Sequence, residues 1–140
     1  MATTTLLETS SPAETEAAGE RLGRRLRKGD LVLLTGELGA GKTTFVRGVA
    51  RGSGSTAPVA SPTFQLVRIY PGRLQLAHVD LYRLESQDGL GDLGLEELLD
   101  AGAVVVEWGE RIDSDEAALI SIEHLGGDRR RLRVERDLRR

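Results

Sequence analysis

Residues 31–44 read LVLLTGELGAGKTT, and this stretch decides the fold. Its second part, from Gly36 to Thr43, matches the phosphate-binding loop pattern G-x-x-x-x-G-K-[ST]. The glycines allow positive φ angles and a close approach of the backbone to a ligand, so that successive N–H groups can surround anionic oxygens. The helix after the loop directs its positive end at the same oxygens. The stretch therefore predicts a site for a nucleoside triphosphate.

Two polar side chains of the loop have predicted roles of their own. Lys42 supplies a positive charge to the β- and γ-phosphates, which also makes it a candidate catalytic residue. The Thr43 hydroxyl is a candidate ligand of a Mg²⁺ ion that bridges these phosphates. The predicted nucleotide-binding residues of this segment are Glu37, Leu38, Gly39, Ala40, Gly41, Lys42, Thr43 and Thr44.

The segments on both sides of the loop have the patterns that the motif requires. Residues 31–34 form a continuous apolar run, which is typical of a parallel strand buried on both faces. Residues 44–51 predict a short amphipathic helix that ends at Gly52. Upstream, the capping sequence Ser-Pro-Ala-Glu at 11–14 and apolar residues four apart predict a helix over 12–28.

The rest of the chain predicts a mixed sheet. The further elements are strands at 65–70, 74–79 and 103–106, a helix at 95–99, a helical turn at 113–118 and a hairpin around the turn at 126–128. The predicted fold class is α/β, with a single P-loop NTPase-like domain whose central mixed sheet is flanked by helices. We expect the domain to span 11–136, with a flexible N-terminus over 1–10 that includes a short edge strand at 5–7, and a tail over 137–140.

The composition is ordinary for a globular protein. The 140 residues carry a net charge of −3, so the overall charge does not favour nucleic acid or an anionic membrane. The absence of cysteine excludes a disulfide framework, a thiolate nucleophile and a cysteine-based zinc site. We find no secretory signal and no apolar run that would span a membrane, so we expect a cytoplasmic protein with no membrane partner.

Two predicted strands end in an acidic residue. Glu107 follows the buried strand at 103–106; such a strand lies beside the loop strand in phosphate-loop proteins, where its carboxylate reaches Mg²⁺ or its water shell, with a strand-end acid that has no role as the alternative. Asp80 ends the return strand of the first hairpin and is the candidate catalytic carboxylate, with a turn-forming role as the alternative. His78 is predicted to face the same side as Asp80 and to bond a neighbour.

Four residues are candidates for a switch or for contact with a partner. Ser61 and Thr63 follow the loop helix at the distance of a hydrolase switch segment, with a plain Ser-Pro turn as the alternative. Arg83 either pairs with an acid at the surface or reaches a phosphate. Trp108 either covers the site, contacts a partner or fills the core. Five arginines within 129–136 are interpreted chiefly as a solvated edge strand protected by charge.

An ordered set of segments resembles one known family. The segments are a helix with Thr15, Gly19 and Leu22, GELGAGKTTFVRG (36–48), SPTF (61–64), LV-x-IY (66–70), HVDLYRL (78–84), LGLEELL (93–99) and VVEWGER (105–111). Together they are similar to the bacterial TsaE family, formerly called YjeE, over roughly residues 12 to 135. The loop is generic, whereas the set SPTF, HxDLYR and EW is specific to that family.

The resemblance implies a function. Members of the family bind ATP and Mg²⁺ and hydrolyse ATP slowly on a phosphate-loop α/β fold. They act with the TsaB and TsaD proteins, which transfer threonylcarbamoyl to adenosine 37 of ANN-decoding tRNAs. The resemblance therefore implies tRNA processing, with tRNA contacted indirectly through the complex and with an ATPase that resets the complex between turnovers.

The resemblance also implies roles by matched position. Lys42 would hold phosphates, Thr43 and Glu107 would serve Mg²⁺, and Asp80 would be the catalytic carboxylate. Trp108 would lie beside the site.

Two nucleotide contacts outside the loop also follow from the resemblance. The helix near Thr15 would border the base, and an arginine of the late strand, Arg129, would reach the nucleotide. Two positions depart from the family pattern, because Glu37 replaces the commoner Asp and Gly109 follows Glu-Trp where Pro or Ala is frequent.

Two other functions compete with an ATPase of this family. A small-molecule kinase needs an acceptor pocket and an arginine-bearing lid, and we identify neither in the sequence. A module that senses ATP without turnover needs the loop alone. RNA binding in its own right is less favoured, because the basic residues are local and the aromatic residues number five.

Overall fold

A seven-stranded sheet forms the centre of the molecule and carries helices on both faces. The computed structural model describes residues 5–37, 40–56, 67–81, 94–108 and 116–138. In chain order the elements are β1 (Thr5–Thr9), α1 (Pro12–Arg25), β2 (Leu31–Thr35), α2 (Lys42–Gly52), β3 (Val67–Tyr70), β4 (Leu76–Asp80), α3 (Leu95–Ala101), β5 (Ala103–Glu107), β6 (Ala118–Gly126) and β7 (Arg129–Arg136).

The sheet is mixed, with its parallel strands at the centre. The strand order is β1-β7-β6-β2-β5-β4-β3. The neighbours β6, β2, β5 and β4 are parallel, and the remaining pairs are antiparallel. This arrangement confirms the predicted α/β class, the mixed sheet and both predicted hairpins. Because parallel neighbours point the same way, the carboxyl ends of β2, β5 and β4 meet at one edge of the sheet.

The two continuous apolar runs are buried on both faces, as predicted. Every side chain of β5 is buried, and Val32, Leu33 and Leu34 of β2 are at most 2% exposed. Alternate residues enter two separate apolar clusters. Val32 and Leu34 pack with α1 and α2, whereas Leu33 faces the cluster that includes α3. Residues two apart in these strands therefore share the face that α2 covers.

Helices α1 and α2 are so close that their backbones touch. The contact is formed by Gly19, Gly23, Gly48 and Gly52. A methyl group at any of these glycines would lie 1.9–2.2 Å from a backbone oxygen of the other helix. Gly19 meets Phe45 and Gly23 meets Val49, so the two helices run parallel and their N-termini lie at the same end. The helix that follows the glycine loop is thus held against a second helix by a spacing that excludes any side chain.

Arg73 secures the other end of this helix pair. Its Nη2 donates to the carbonyl oxygens of Gly23 at 3.2 Å and Gly52 at 3.4 Å, in the last turns of α1 and α2. A cation at two helix C-termini is favourable because the helix dipoles place negative partial charge there. In addition, Leu74 N–H donates to the Ser53 carbonyl, so the turn between β3 and β4 is bonded to the loop after α2.

Helix α1 ends at Arg25, three residues before the predicted end. Leu26 adopts an extended conformation with ψ of 144° and is 1% exposed, because its side chain enters the core. The N–H of Arg27 donates to Asp30 Oδ2 at 2.7 Å and Gly29 has φ of +93°, so residues 27–30 form a turn instead of a last helical turn.

The expectation that the arginine-rich strand lies at the sheet edge is wrong. β7 lies between β6 and β1, because residues 5–9 form a full strand that pairs with it; the predicted edge strand at 5–7 is thus confirmed and extended. Arg131 forms ion pairs with Glu8 at 3.1 Å and Glu123 at 3.2 Å on the two neighbouring strands. The hydrogen bond to Glu8 raises the pKa of Arg131 above its ordinary value.

The C-terminal part of the domain differs in one detail from prediction. A helical turn was predicted at 113–118, but Ala118 is the first residue of β6. Residues 113–115 of that prediction lie outside the described residues. Beyond β7, Asp137 accepts from Arg25 at 3.3 Å, and Leu138 packs against the core. Within the described ranges, none of the helices has the length and apolar character needed to cross a bilayer.

Candidate functional site

The glycine loop and both candidate acids lie at the same edge of the sheet. β2 leads into the loop, and its neighbour β5 is in parallel register with Leu34 opposite Glu107. β4 is parallel to β5 with Asp80 opposite Glu107. Val105 packs in the cluster of α1 and α2, so Glu107, two residues later, is on the face that α2 covers. The topology therefore brings together three segments that are separated by about 25 to 45 residues in the chain.

Two glycines of the loop need the conformations that only glycine adopts readily. Gly36 has φ of +149°, and a methyl group there would lie 2.6 Å from the carbonyl oxygen of Ile122. Gly41 has φ of +101° and caps α2 in the left-handed region. The N–H of Ala40 donates to the Glu37 carbonyl at 3.0 Å. Leu38 and Gly39 lie outside the described residues.

Lys42 is held inside the site and not in solvent. Lys42 is only 4% exposed, and its Nζ donates to the Gly36 carbonyl oxygen at 2.5 Å. The same Nζ lies 3.5 Å from the centroid of the Trp108 ring, a cation–π contact. The ammonium is thus held between the start of the loop and an aromatic ring.

Trp108 has an unusual backbone conformation. Its φ is +62°, and within the described part of the chain it is the one residue other than glycine with positive φ. Such a conformation costs a bulky residue about 1–3 kcal/mol and is concentrated at functional sites. Trp108 follows Glu107 directly, so this turn of the backbone places the indole against Lys42 at the end of β5. The sequence left a site role, a partner contact and core filling open for Trp108; the indole contacts Lys42 and also packs against the apolar cluster that includes Leu33.

Glu107 and His78 form a buried pair beside the loop. Their relative exposures are 3% and 0%, and Nε2 of His78 lies 2.5 Å from Oε2 of Glu107. Tyr70, 1% exposed, stacks against the imidazole with ring centroids 6.3 Å apart. His78 therefore bonds a neighbour, as predicted, and that neighbour is the predicted metal ligand.

Thr15 lies near the N-terminus of α1, at the end of the helix pair where α2 also begins. It is 2% exposed, and its hydroxyl is hydrogen bonded to the Thr9 hydroxyl at 2.7 Å. This bond ties the first turn of α1 to β1. The predicted contact between the Thr15 region and a nucleotide base stays a prediction.

Of the late-strand arginines, Arg130 lies against the loop. Its Nε would be 3.2 Å from a methyl group built at Gly41, and its Nη1 donates to the Gly127 carbonyl at 2.7 Å. Arg129, named from the resemblance, has a side chain 60% exposed and lies 3.8 Å from Glu8. Successive residues of a strand face opposite sides, so the choice between them depends on the register of the hairpin. That register shifts between His124 and Gly126, which the sequence does not indicate.

Three further predicted residues lie in the loop segment or in the first turn of α2. Thr43 and Thr44 are half-buried in the first turn of α2, and Glu37 is exposed. Ser61, Thr63 and Arg83 lie outside the described residues.

The donor set is suited to Mg²⁺. Within the described ranges no group of three or more His, Cys, Asp or Glu side chains could hold a metal ion. Mg²⁺ does not need such a group of three side chains, because it is commonly bound through one or two carboxylates together with phosphates and water. Thr43 is in the first turn of α2, and Glu107 and Asp80 are register partners at the ends of the adjoining strands β5 and β4. All three side chains carry hard oxygen donors of the kind that Mg²⁺ prefers.

Comparison with known proteins identifies the family. Residues 9–133 match the family model described as threonylcarbamoyl adenosine biosynthesis protein TsaE. The chain belongs to the TsaE family. This confirms the resemblance to TsaE that the ordered segments indicated.

Similar proteins of known name support the family over most of the chain. The chain is 46% identical over 122 residues to the tRNA threonylcarbamoyladenosine biosynthesis protein TsaE of Streptomyces coelicolor, covering 84% of this chain and 76% of that protein. It is 40% identical over 129 residues to the TsaE protein of Bacillus subtilis, covering 89% and 80%. The crystal structure of Bacillus subtilis YdiB matches with a TM-score of 0.80 and 34% identity over 96% of this chain and 86% of that chain.

Proposed function

We propose that this TsaE family member is a Mg²⁺-dependent ATPase of the cytoplasm, required for threonylcarbamoyladenosine modification of adenosine 37 in ANN-decoding tRNAs. It would act with the TsaB and TsaD proteins. The family match supports the pathway. The observation that carries the ATPase is the buried Lys42 side chain, whose ammonium lies between Gly36 and Trp108 at the sheet edge where two neighbouring strands end in acidic residues.

The binding step uses the loop and its helix. The N–H groups that point out of the N-terminus of α2 and the positive end of its dipole favour the phosphates. The Lys42 ammonium moves from the Gly36 carbonyl to phosphate oxygens, which are stronger acceptors because they are charged. Arg130, beside Gly41, adds a second positive charge at the loop.

The hydrolysis step assigns separate tasks to the two acids. Thr43 and Glu107 would hold Mg²⁺, which supplies charge neutralisation at the β- and γ-phosphates. Asp80 orients the attacking water or accepts its proton, because its carboxylate stands on the same edge and face as Glu107. Lys42 and the loop N–H groups stabilise the charge that develops on the transferred phosphoryl group. The intrinsic turnover would be slow, with stimulation by the partners.

The test of the proposed function uses two readouts. The chain contains one tryptophan, Trp108, whose ring touches Lys42 Nζ, so nucleotide that draws Lys42 away should change the tryptophan fluorescence. Release of phosphate from ATP is then followed with and without TsaB and TsaD. We expect a fluorescence change with adenine nucleotide and faster release with the partners. No fluorescence or calorimetric response to nucleotide would contradict the proposal, and phosphate appearing on a small acceptor would favour a kinase.

We expect Asp80→Asn to lower the rate of ATP hydrolysis by about 100-fold or more, because general-base groups contribute roughly 10²- to 10⁴-fold. ATP affinity should change by less than about threefold, since the amide keeps the size of the carboxylate and the phosphates are bound by the loop. Asp128→Asn, at an exposed turn, is the matched control. Unchanged turnover with the partners present would favour a module that senses ATP without hydrolysis.

We expect Arg130→Ala to weaken ATP binding by about tenfold, which is the loss of one hydrogen bond to a charged group. Arg129→Ala is the matched control and should change the affinity by less than about twofold, because an exposed ion pair contributes little. Calorimetric titration of both variants measures the difference. The reverse order of the two effects would restore Arg129 as the arginine that reaches the nucleotide.

A further inference from the structure

We propose that His78 is a positioning residue that holds the Glu107 carboxylate in the orientation needed to serve the divalent cation. The inference rests on the proposed function, in which Glu107 is a ligand of Mg²⁺ or of its water shell. His78 itself is fully buried and would not touch the nucleotide. It acts through its hydrogen bond to Glu107.

The geometry of the pair gives the imidazole control over one carboxylate oxygen. Nε2 of His78 lies 2.5 Å from Oε2 of Glu107, and both side chains are on the face that α2 covers. The two residues are on neighbouring parallel strands, where His78 is opposite Val105, so the bond runs diagonally toward the strand ends. With Oε2 occupied by the imidazole, Oε1 is the oxygen that remains for a cation or its water.

The unbonded imidazole nitrogen indicates which nitrogen carries the proton. Nδ1 of His78 is buried and has no hydrogen-bond partner within the part of the chain that the structure describes. A proton on Nδ1 would be a buried donor without an acceptor, which is unfavourable. The network therefore assigns the proton to Nε2, which donates to Oε2 of Glu107. Carboxylates that ligate a metal ion are commonly oriented by a hydrogen-bond donor outside the coordination shell.

The imidazole ring is itself held in place. Tyr70 packs on its face with an interplanar angle of 30°, and Glu107 contacts its edge. Tyr70 is paired with Leu76 across the first hairpin, so the aromatic ring sits on the same strand pair that carries His78. A fixed ring restricts the rotamers of Glu107, and a restricted carboxylate loses less freedom when it binds a cation.

A purely structural role explains the pair less well. A buried hydrogen-bonded polar pair is often no more stabilising than apolar side chains of the same shape, and the neighbouring positions of both strands carry such side chains. Glu107 is the last residue of β5, at the sheet edge next to the loop, where a carboxylate has a use. This placement favours a role toward the cation.

The test compares His78→Leu with His78→Gln. The Gln amide N–H can replace Nε2–H of the imidazole, whereas Leu offers no donor. For each variant the affinity for ADP is measured in EDTA and at increasing Mg²⁺, and binding of Mn²⁺ to the nucleotide complex is followed by electron paramagnetic resonance. We expect His78→Leu to weaken the cation affinity by about tenfold or more, as outer-shell partners typically do. The affinity for ADP measured in EDTA should stay within about twofold of the wild-type value. His78→Gln should recover most of the lost cation affinity.

The outcomes separate this inference from the proposed function. If His78→Leu lowers only the melting temperature and keeps the full Mg²⁺ and Mn²⁺ affinity, the positioning role is wrong and the ATPase proposal is unaffected. If the wild-type protein binds nucleotide no better with Mg²⁺, the proposed function fails. If His78→Leu does not fold, His78→Asn replaces it, because its shorter amide does not reach Oε2. Loss of cation affinity in the His78→Asn variant but not in the His78→Gln variant supports the inference. Wild-type cation affinity in both variants overturns it.

Discussion

Replacing Lys42 with alanine is expected to weaken ATP binding by about 100-fold, since truncating one member of a buried, hydrogen-bonded charge pair costs about 2–5 kcal/mol. Lys42 is 4% exposed, so the attraction of its ammonium to phosphate is screened little by solvent. Its contacts with Gly36 and Trp108 already hold it beside the loop before nucleotide arrives. Calorimetric titration with ATP and Mg²⁺ measures the effect, and thermal denaturation shows whether the variant is folded.

The chain offers a matched control, because Lys28 is its other lysine and lies exposed in the turn after α1. Lys28→Ala changes the net charge by the same amount and should leave the ATP affinity within about twofold, since an exposed charge is screened beyond about 10 Å. A Lys42→Ala protein that is folded and binds ATP as the wild type does would show that the loop does not bind phosphate. Equal losses in both variants would show a general charge effect.

Replacing Gly48 with alanine is expected to lower the free energy of unfolding by about 3 kcal/mol or more, at the upper end of overpacking effects. The new methyl group would lie 1.9 Å from the Glu16 carbonyl oxygen and 2.9 Å from the Glu20 nitrogen, both in the backbone of α1. Backbone atoms cannot turn aside as a side chain can, so α1 and α2 must separate. The cost exceeds the gain of about 1 kcal/mol that alanine brings to a helix. Denaturant unfolding measures the difference.

Arg47→Ala is the control for Gly48→Ala, because it places alanine at the preceding, exposed position of α2. Its effect should stay within about 0.5 kcal/mol, as is usual for surface positions. Gly48→Ala should also weaken ATP binding, since α2 carries Lys42 and its N-terminus ends the loop. Wild-type stability in Gly48→Ala would mean that the helices are farther apart than the structure places them.

Much of the fold could be predicted from local patterns. The apolar run before the loop and the run before Glu107 indicated two strands buried on both faces, and β2 and β5 are adjacent parallel strands at the centre of the sheet. The turns at 71–72 and 126–128 indicated the two hairpins. The end of α1 could not be predicted, because the burial of Leu26 depends on the space beneath the helix pair.

The candidate site was predictable in its parts and not in its contacts. Lys42, Thr43, Asp80 and Glu107 follow from the loop motif and from acids at strand ends. The contact of Lys42 with Trp108 depends on the positive φ of Trp108, which no local rule indicates for a tryptophan.

Side-chain contacts between neighbouring strands could not be predicted from the sequence either. Arg129 and Arg130 are indistinguishable in sequence, and the bulge in the β6–β7 hairpin decides which of them faces Gly41. His78 was expected to bond a neighbour, yet that neighbour could be named only after β4 was seen to pair with β5.

By itself, the sequence determined the family, the phosphate-binding loop, the class of the fold and which acids end the buried strands. These features are local, because turn conformation, hydrophobic period and motif spacing are set by residues near one another in the chain. The tertiary structure alone decided that four glycines bring α1 against α2, that His78 bonds Glu107 and that Arg130 lies at the loop. Such contacts depend on strand register and helix separation, which arise only when distant segments pack together.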